Sequence, residues 1–136
     1  MTPQQRALVL ETADAAFAIG RFADRFYARL FALAPETQAL FGDDSTVLKL
    51  KFMNTMTSIV GSVERPEMFS SILTHLGRRH RRFGVLSAHY TPVGTALLDT
   101  LEDILEERFT PPVRGARAAL YAEIAARMQE GAREAG

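Results

Sequence analysis

Apolar residues recur every three or four positions along almost the whole chain, and nowhere do they alternate with period two between turn residues. That spacing gathers apolar side chains on one flank of a helix and provides no pattern for a half-buried strand. The 136-residue chain reads as all-α. Thr2-Pro3 opens a first helix to about Ala18, and Arg21 to Leu33 forms a second that stops before Pro35. A short turn through Phe41-Gly42 follows. Asp44 or Ser45 can cap a long helix to about Val63, which Glu64-Arg65-Pro66 breaks. Pro66 starts the next helix and Gly84 ends it. Ser87 is a natural N-cap for a helix to about Arg108, and Thr110-Pro111 starts a last one to roughly Arg133, leaving a frayed tail from Glu134 to Gly136.

This length suits one domain over residues 1–136, with no room for a second catalytic module. Sixteen basic and sixteen acidic residues cancel, so no global field argues for nucleic acid or an anionic membrane. The absence of cysteine removes disulfides, iron–sulfur clusters and thiolate zinc sites together. Glu11 and Asp14 interrupt the N-terminal apolar stretch, which argues against a secretory signal. No apolar run approaches the roughly 20 residues of a membrane span. A soluble, cytoplasmic protein is the expectation.

The stretch Phe69 to Val85, FSSILTHLGRRHRRFGV, carries the residue with most chemical content. At about 100° per residue, Phe69, Leu73, Leu76 and Ile72 fall at about −20°, +20°, −40° and −80° from His80, with Arg78 and Arg82 on the far side. His80 thus projects from an apolar stripe, whereas His75 points about 140° away, towards solvent. Such a histidine can simply hydrogen-bond a neighbouring carbonyl at the edge of a core. A second apolar face offers another use for it. Leu48, Phe52, Met56, Ile59 and Val63 lie within about 80° of one another on the long helix. Two such faces, one bearing an imidazole, could enclose a flat aromatic cofactor.

Zinc needs three or four converging ligands, and neither a His-x-x-x-His pair nor a Cys/His cluster is present. Haem iron needs only one protein ligand, because the porphyrin supplies the four equatorial donors and a sixth position stays open. One histidine on an apolar face meets that requirement.

Four segments together resemble a globin, specifically the bacterial single-domain globins related to flavohaemoglobin haem domains and to neuroglobin. FYARLFALAP, Phe26 to Pro35, is similar to the second helix of that group. ALFG, Ala39 to Gly42, follows it. LGRRHRRFGV, Leu76 to Val85, resembles the proximal histidine segment, and HYTPVGTALLDTL, His89 to Leu101, the helix after it. The resemblance implies a globin fold of about seven to eight helices packed around a haem pocket. It further implies haem b (iron protoporphyrin IX), with His80 as axial ligand and Tyr27 at the distal position that stabilises bound gas. Phe41 would pack on the porphyrin, with Leu48, Phe52, Leu76, Val85 and Tyr90 as further contacts. Lys51 and Arg79 are candidates for the propionates.

Three departures qualify the likeness. Leu48 stands where many globins carry histidine or glutamine, which argues against bis-histidine ligation, and Phe52 stands where a smaller aliphatic residue is common. In the flavohaemoglobin group the proximal histidine is coupled to a tyrosine and a glutamate. Tyr90 matches the tyrosine, but the glutamate position falls at Ala132, with Glu130 and Glu134 displaced around the helix. A carboxylate in that network would raise imidazole basicity and favour oxygen activation. Its loss points to reversible binding, or transport, of O2, CO or NO rather than to strong peroxidase chemistry. The competing readings are nitric oxide dioxygenation with an external reductase, and a haem-based gas sensor. A partner role for nucleic acid is disfavoured, because the arginines at 78, 79, 81 and 82 lack interleaved aromatics.

Overall fold

The computed structural model describes residues 1–17, 22–41 and 45–134, without the side chains of residues 14–17 and 45. Among them there is no strand. Six α-helices run in the order α1 (Pro3–Phe17), α2 (Phe22–Leu33), α3 (Ser45–Gly61), α4 (Pro66–Arg82), α5 (Tyr90–Leu105) and α6 (Pro111–Glu134). A 3-10 helix, Pro35–Leu40, links α2 towards α3, and single 3-10 turns at Ser87–His89 and Glu106–Arg108 bracket α5. The expected boundaries at Ala18 and Arg21, the turn residue Gly42, the cap Asp44 and the tail residues Ala135 and Gly136 lie outside the described residues.

Several boundaries show their chemistry. At the start of α1, Thr2 Oγ1 accepts the Gln5 N–H at 3.1 Å while Gln5 Oε1 accepts the Thr2 N–H at 2.9 Å, a reciprocal capping box. At the end of α4, Gly84 takes φ +95°. The Val85 N–H then reaches the His80 carbonyl at 3.0 Å and the Gly84 N–H reaches Arg81 at 3.1 Å, the Schellman arrangement that glycine permits.

Elsewhere the structure departs from the sequence reading. Ser87 does not cap a long helix: its hydroxyl goes to Gln129 Oε1 at 2.8 Å, and His89 Nδ1 instead accepts the Leu86 N–H at 2.9 Å, so α5 starts at Tyr90. The α-helix also ends at Leu105 and continues to Arg108 only as a 3-10 turn. The long helix stops at Gly61, two residues short of Val63, because the Ser62 and Val63 N–H groups turn to the Ile59 and Val60 carbonyls three residues back. Glu134 remains helical and pairs with Arg78 at 2.5 Å. The segment after α2 is wound as 3-10 helix, with Thr37 Oγ1 donating to the Ala34 carbonyl at 2.7 Å.

Packing is most extensive between α4 and α6, followed by α2 with α5 and α1 with α6. Two glycines set the first of these crossings. A Cβ on Gly77 would lie 1.9 Å from the Met128 carbonyl oxygen, and one on Gly131 would lie 2.0 Å from that of Thr74. Pairing 77 with 128 and 74 with 131 makes the helices antiparallel and brings their backbones into direct contact. That contact fixes the rotation of α4 about its own axis, and with it the direction of His80 one turn beyond Gly77. At the neighbouring crossing a Cβ on Gly94 of α5 would lie 2.5 Å from the Tyr121 ring. Arg117, 4 % exposed, ties α6 to α1 through Nη2 bonds to the Val9 carbonyl at 3.1 Å and Thr12 Oγ1 at 2.9 Å, and burial lowers its pKa to about 10.

Candidate functional site

His80 sits in the last turn of α4, and its apolar stripe is the face turned inward: Phe69 and Leu73 are buried, Ile72 and Leu76 half-buried, and His75 exposed. Its Nδ1 lies 2.8 Å from the Leu76 carbonyl one turn back. A carbonyl only accepts, so the proton is assigned to Nδ1 and the Nε2 lone pair is left available. Burial holds the imidazole pKa below its usual value, with the Arg79 charge acting the same way and the Leu76 bond opposing both. Burial thus favours the neutral ring, the form that can act as a nitrogen donor. Among the described residues no hydrogen bond reaches Nε2, and no group of three or more His, Asp or Glu converges to hold a metal ion.

Tyr27 of α2 is 7 % exposed and lies inside an aromatic cluster. Phe41 meets it edge-on at 5.1 Å between ring centroids, Phe26 at 5.1 Å, and Phe52 of α3 at 5.4 Å. Phe52 stacks almost parallel on Phe26 at 4.8 Å. Among the described residues no group hydrogen-bonds the Tyr27 hydroxyl. Burial pushes its pKa up to about 12, so it remains a proton donor throughout the neutral range. The unfolded chain releases this proton near pH 10 and the folded chain only near 12, so the stability it contributes, complete below pH 10, is lost as pH rises through 12. Tyr27→Phe is expected to flatten the alkaline limb of a circular-dichroism titration of stability. An unchanged limb would mean that Tyr27 titrates in the folded protein as it does in the unfolded one.

The apolar side chains fall into two clusters. Tyr27, Phe41, Leu48 and Phe52 belong to one, with α5 beneath them, while Leu76 and Tyr90 join Ile72 and Leu73 in the other. Met56 packs against both. Phe41, Leu48, Phe52, Leu76, Val85 and Tyr90 are all only half-buried, although each except Val85 packs on one of the two clusters. Lys51 and Arg79 stand outside, exposed and without an ion pair among the described residues.

No bond joins Tyr90 to His80 among the described residues, and the carboxylates on either side of Ala132 are engaged elsewhere. Glu130 pairs with Arg127 at 3.2 Å and Glu134 with Arg78. Tyr121 takes a place that sequence reasoning missed: its hydroxyl donates to the Tyr90 carbonyl at 2.5 Å and its ring lies against Gly94. Gly94, inside an otherwise regular helix, was the available signal, since a mid-helix glycine often marks a close approach. The clefts beside Pro66, lined by Arg65, Glu67 and Met68 and by Pro3, Arg6, Val63 and Glu64, lie about 21 Å along α4 from His80.

Residues 24–128, which include His80, Tyr27 and both apolar faces, match the family model for globins. The chain belongs to the globin family. This globin is 33 % identical over 115 residues to a protein of Oryza sativa subsp. indica named anaerobic nitrite reductase NSHB5, covering 78 % of this chain and 77 % of that one. It is 27 % identical over 129 residues to a flavohemoprotein of Bordetella pertussis, covering 92 % of this chain but 32 % of that protein. In structure it superimposes on a hexacoordinated heme protein from an anhydrobiotic tardigrade with a TM-score of 0.89 at 14 % identity, covering 98 % and 96 % of the two chains, a likeness of fold. Globin membership implies haem, and two observations fit it. One is a neutral imidazole whose free Nε2 stands on an apolar stripe. The other is a phenol with no partner among the described residues, set among half-buried apolar side chains on the opposite cluster.

Proposed function

We propose that residues 1–136 form a single globin domain that holds haem b through His80 and reversibly binds a diatomic gas, O2, CO or NO. The observation that carries this reading is the imidazole fixed by its Leu76 bond with Nε2 free. When bound, haem supplies an iron with one coordination position open to a gas. His80 Nε2 donates its lone pair while the Leu76 carbonyl holds the ring plane and tautomer. Leu48, Phe52 and Met56 exclude water from the distal side, and Phe41, Leu76, Val85 and Tyr90 offer apolar contact. Arg79 and Lys51, exposed at the rim, are available to carboxylates. Tyr27 holds the one phenolic O–H in its aromatic cluster and would offer it as a hydrogen-bond donor to a bound ligand that gains negative charge.

The absorption spectrum tests this directly. A strong Soret band that shifts when the dithionite-reduced protein is exposed to CO is expected; no band after haem reconstitution would end the proposal. Tyr27→Phe is expected to accelerate O2 dissociation roughly 10- to 100-fold, equivalent to a charge-assisted hydrogen bond of about 1.5–3 kcal/mol, with a smaller effect on the less polarised CO. Equal changes for both gases would remove Tyr27 from this role.

The likeness to a flavohemoprotein favours a second reading, in which NO is oxidised by O2 at the same site. This chain spans 32 % of that relative, and sustained turnover at this site would need a supply of electrons. NO consumption with and without a reducing partner separates the two. The missing carboxylate at Ala132 weighs against strongly oxidising chemistry.

A further inference from the structure

The neutral net charge of this globin conceals two charged ends. The last turn of α4 carries Arg79, Arg81 and Arg82, all exposed and without ion pairs among the described residues, whereas Arg78 is paired with Glu134. Immediately after them stand Phe83, 69 % exposed, and Leu86, 56 % exposed, the former the most exposed large apolar side chain among the described residues. Gly84, whose Cβ would lie 3.5 Å from Leu40, braces this corner against the 3-10 helix after α2. Tyr90 begins α5 nearby, and the other end of that helix is acidic. Glu102, Glu106 and Glu107 are exposed there, beside a single exposed Arg108, about 18 to 26 Å along the axis. A molecule polarised in this way presents its basic end first to an acidic partner.

We propose that the corner formed by Arg79, Arg81, Arg82, Phe83 and Leu86 docks an acidic protein that donates single electrons. This rests on the haem-binding reading above. Three arginines around a protruding phenylalanine have the make-up of an interface with one aromatic anchor and a charged rim. Placement selects an electron donor among acidic partners, because Phe83 follows His80 by three residues, about 4.5 Å along the helix axis. A donor seated here lies about one helical turn from the axial histidine. The exchange balances as one electron lost by the donor and one gained by ferric iron, with no bond made or broken.

The test uses the haem-loaded protein and flavodoxin, an acidic one-electron flavoprotein, carrying a fluorescent label. Binding by anisotropy is expected to tighten as ionic strength falls. Arg81→Glu with Arg82→Glu is expected to weaken it about tenfold or more and to abolish the salt dependence, while Phe83→Ser weakens it and leaves the salt slope intact. Reduction of ferric protein by reduced flavodoxin should follow the same order, and reduction by dithionite should not change. Binding indifferent to salt or to the charge reversal overturns the proposal. So does tighter association with phosphatidylserine vesicles than with flavodoxin, or self-association in sedimentation that the reversal removes. The CO-induced Soret shift, recorded on the same samples, reports separately on the haem-binding reading.

Discussion

His80→Ala is expected to leave a folded protein that no longer retains haem stoichiometrically. Loss of an outer partner of a metal ligand already weakens binding by 10- to 100-fold, so removing the axial donor itself should cost roughly a hundredfold or more. The rest of the site would survive, because the apolar faces of α3 and α4 are held by Ile59, Val63, Phe69 and Leu73, none of which touches the iron in this scheme. Far-ultraviolet circular dichroism should therefore be unchanged while the Soret band is lost after gel filtration. His75→Ala, at an exposed position of the same helix, should keep it. Added imidazole is expected to restore part of the band by entering the space of the lost ring. Wild-type haem affinity in His80→Ala would refute the axial assignment.

Gly77→Ala is expected to be the most damaging glycine-to-alanine change among the described residues. Its Cβ would stand 1.9 Å from a backbone oxygen of α6, a group that cannot rotate away as a side chain can, so the helices must part. Overpacking usually costs about 1–3 kcal/mol, and a backbone clash belongs at the upper end or above. At about 3 kcal/mol, the melting temperature of a domain this size would fall by roughly 10 °C. Gly115→Ala provides the control. It lies in α6 with nothing within 4 Å of its Cβ, and should gain up to about 1 kcal/mol from helix propensity. Thermal unfolding of both variants settles the point; equal melting temperatures would mean the crossing is loose. Because the same contact orients α4, Gly77→Ala should also lower haem affinity.

Much of this was legible in the residues. The stripe of Phe69, Leu73 and Leu76 beside His80, and that of Leu48, Phe52 and Met56, depend on helical period alone, which local sequence determines. Pro35, Pro66 and Pro111 mark helix boundaries because a proline lacks the N–H that a continuing helix needs. What escaped was long-range in origin. Ser87 looks like a cap, yet its hydroxyl finds Gln129 on α6, 42 residues away in sequence. Tyr121 showed no local sign of its bond to the Tyr90 carbonyl, and nothing adjacent to Arg117 announced burial against Val9 and Thr12.

By itself the sequence determined the all-helical class, the apolar faces of α3 and α4, and the histidine that stands on one of them, because these follow from backbone period and side-chain chemistry within a few turns. Only the tertiary structure decided how α4 is rotated against α6, which aromatic rings pack around the Tyr27 ring, and that Glu130 and Glu134 pair with Arg127 and Arg78. The reason is physical: those outcomes depend on which backbones approach closely enough to exclude a methyl group, and on which partner a charged side chain meets first across the fold.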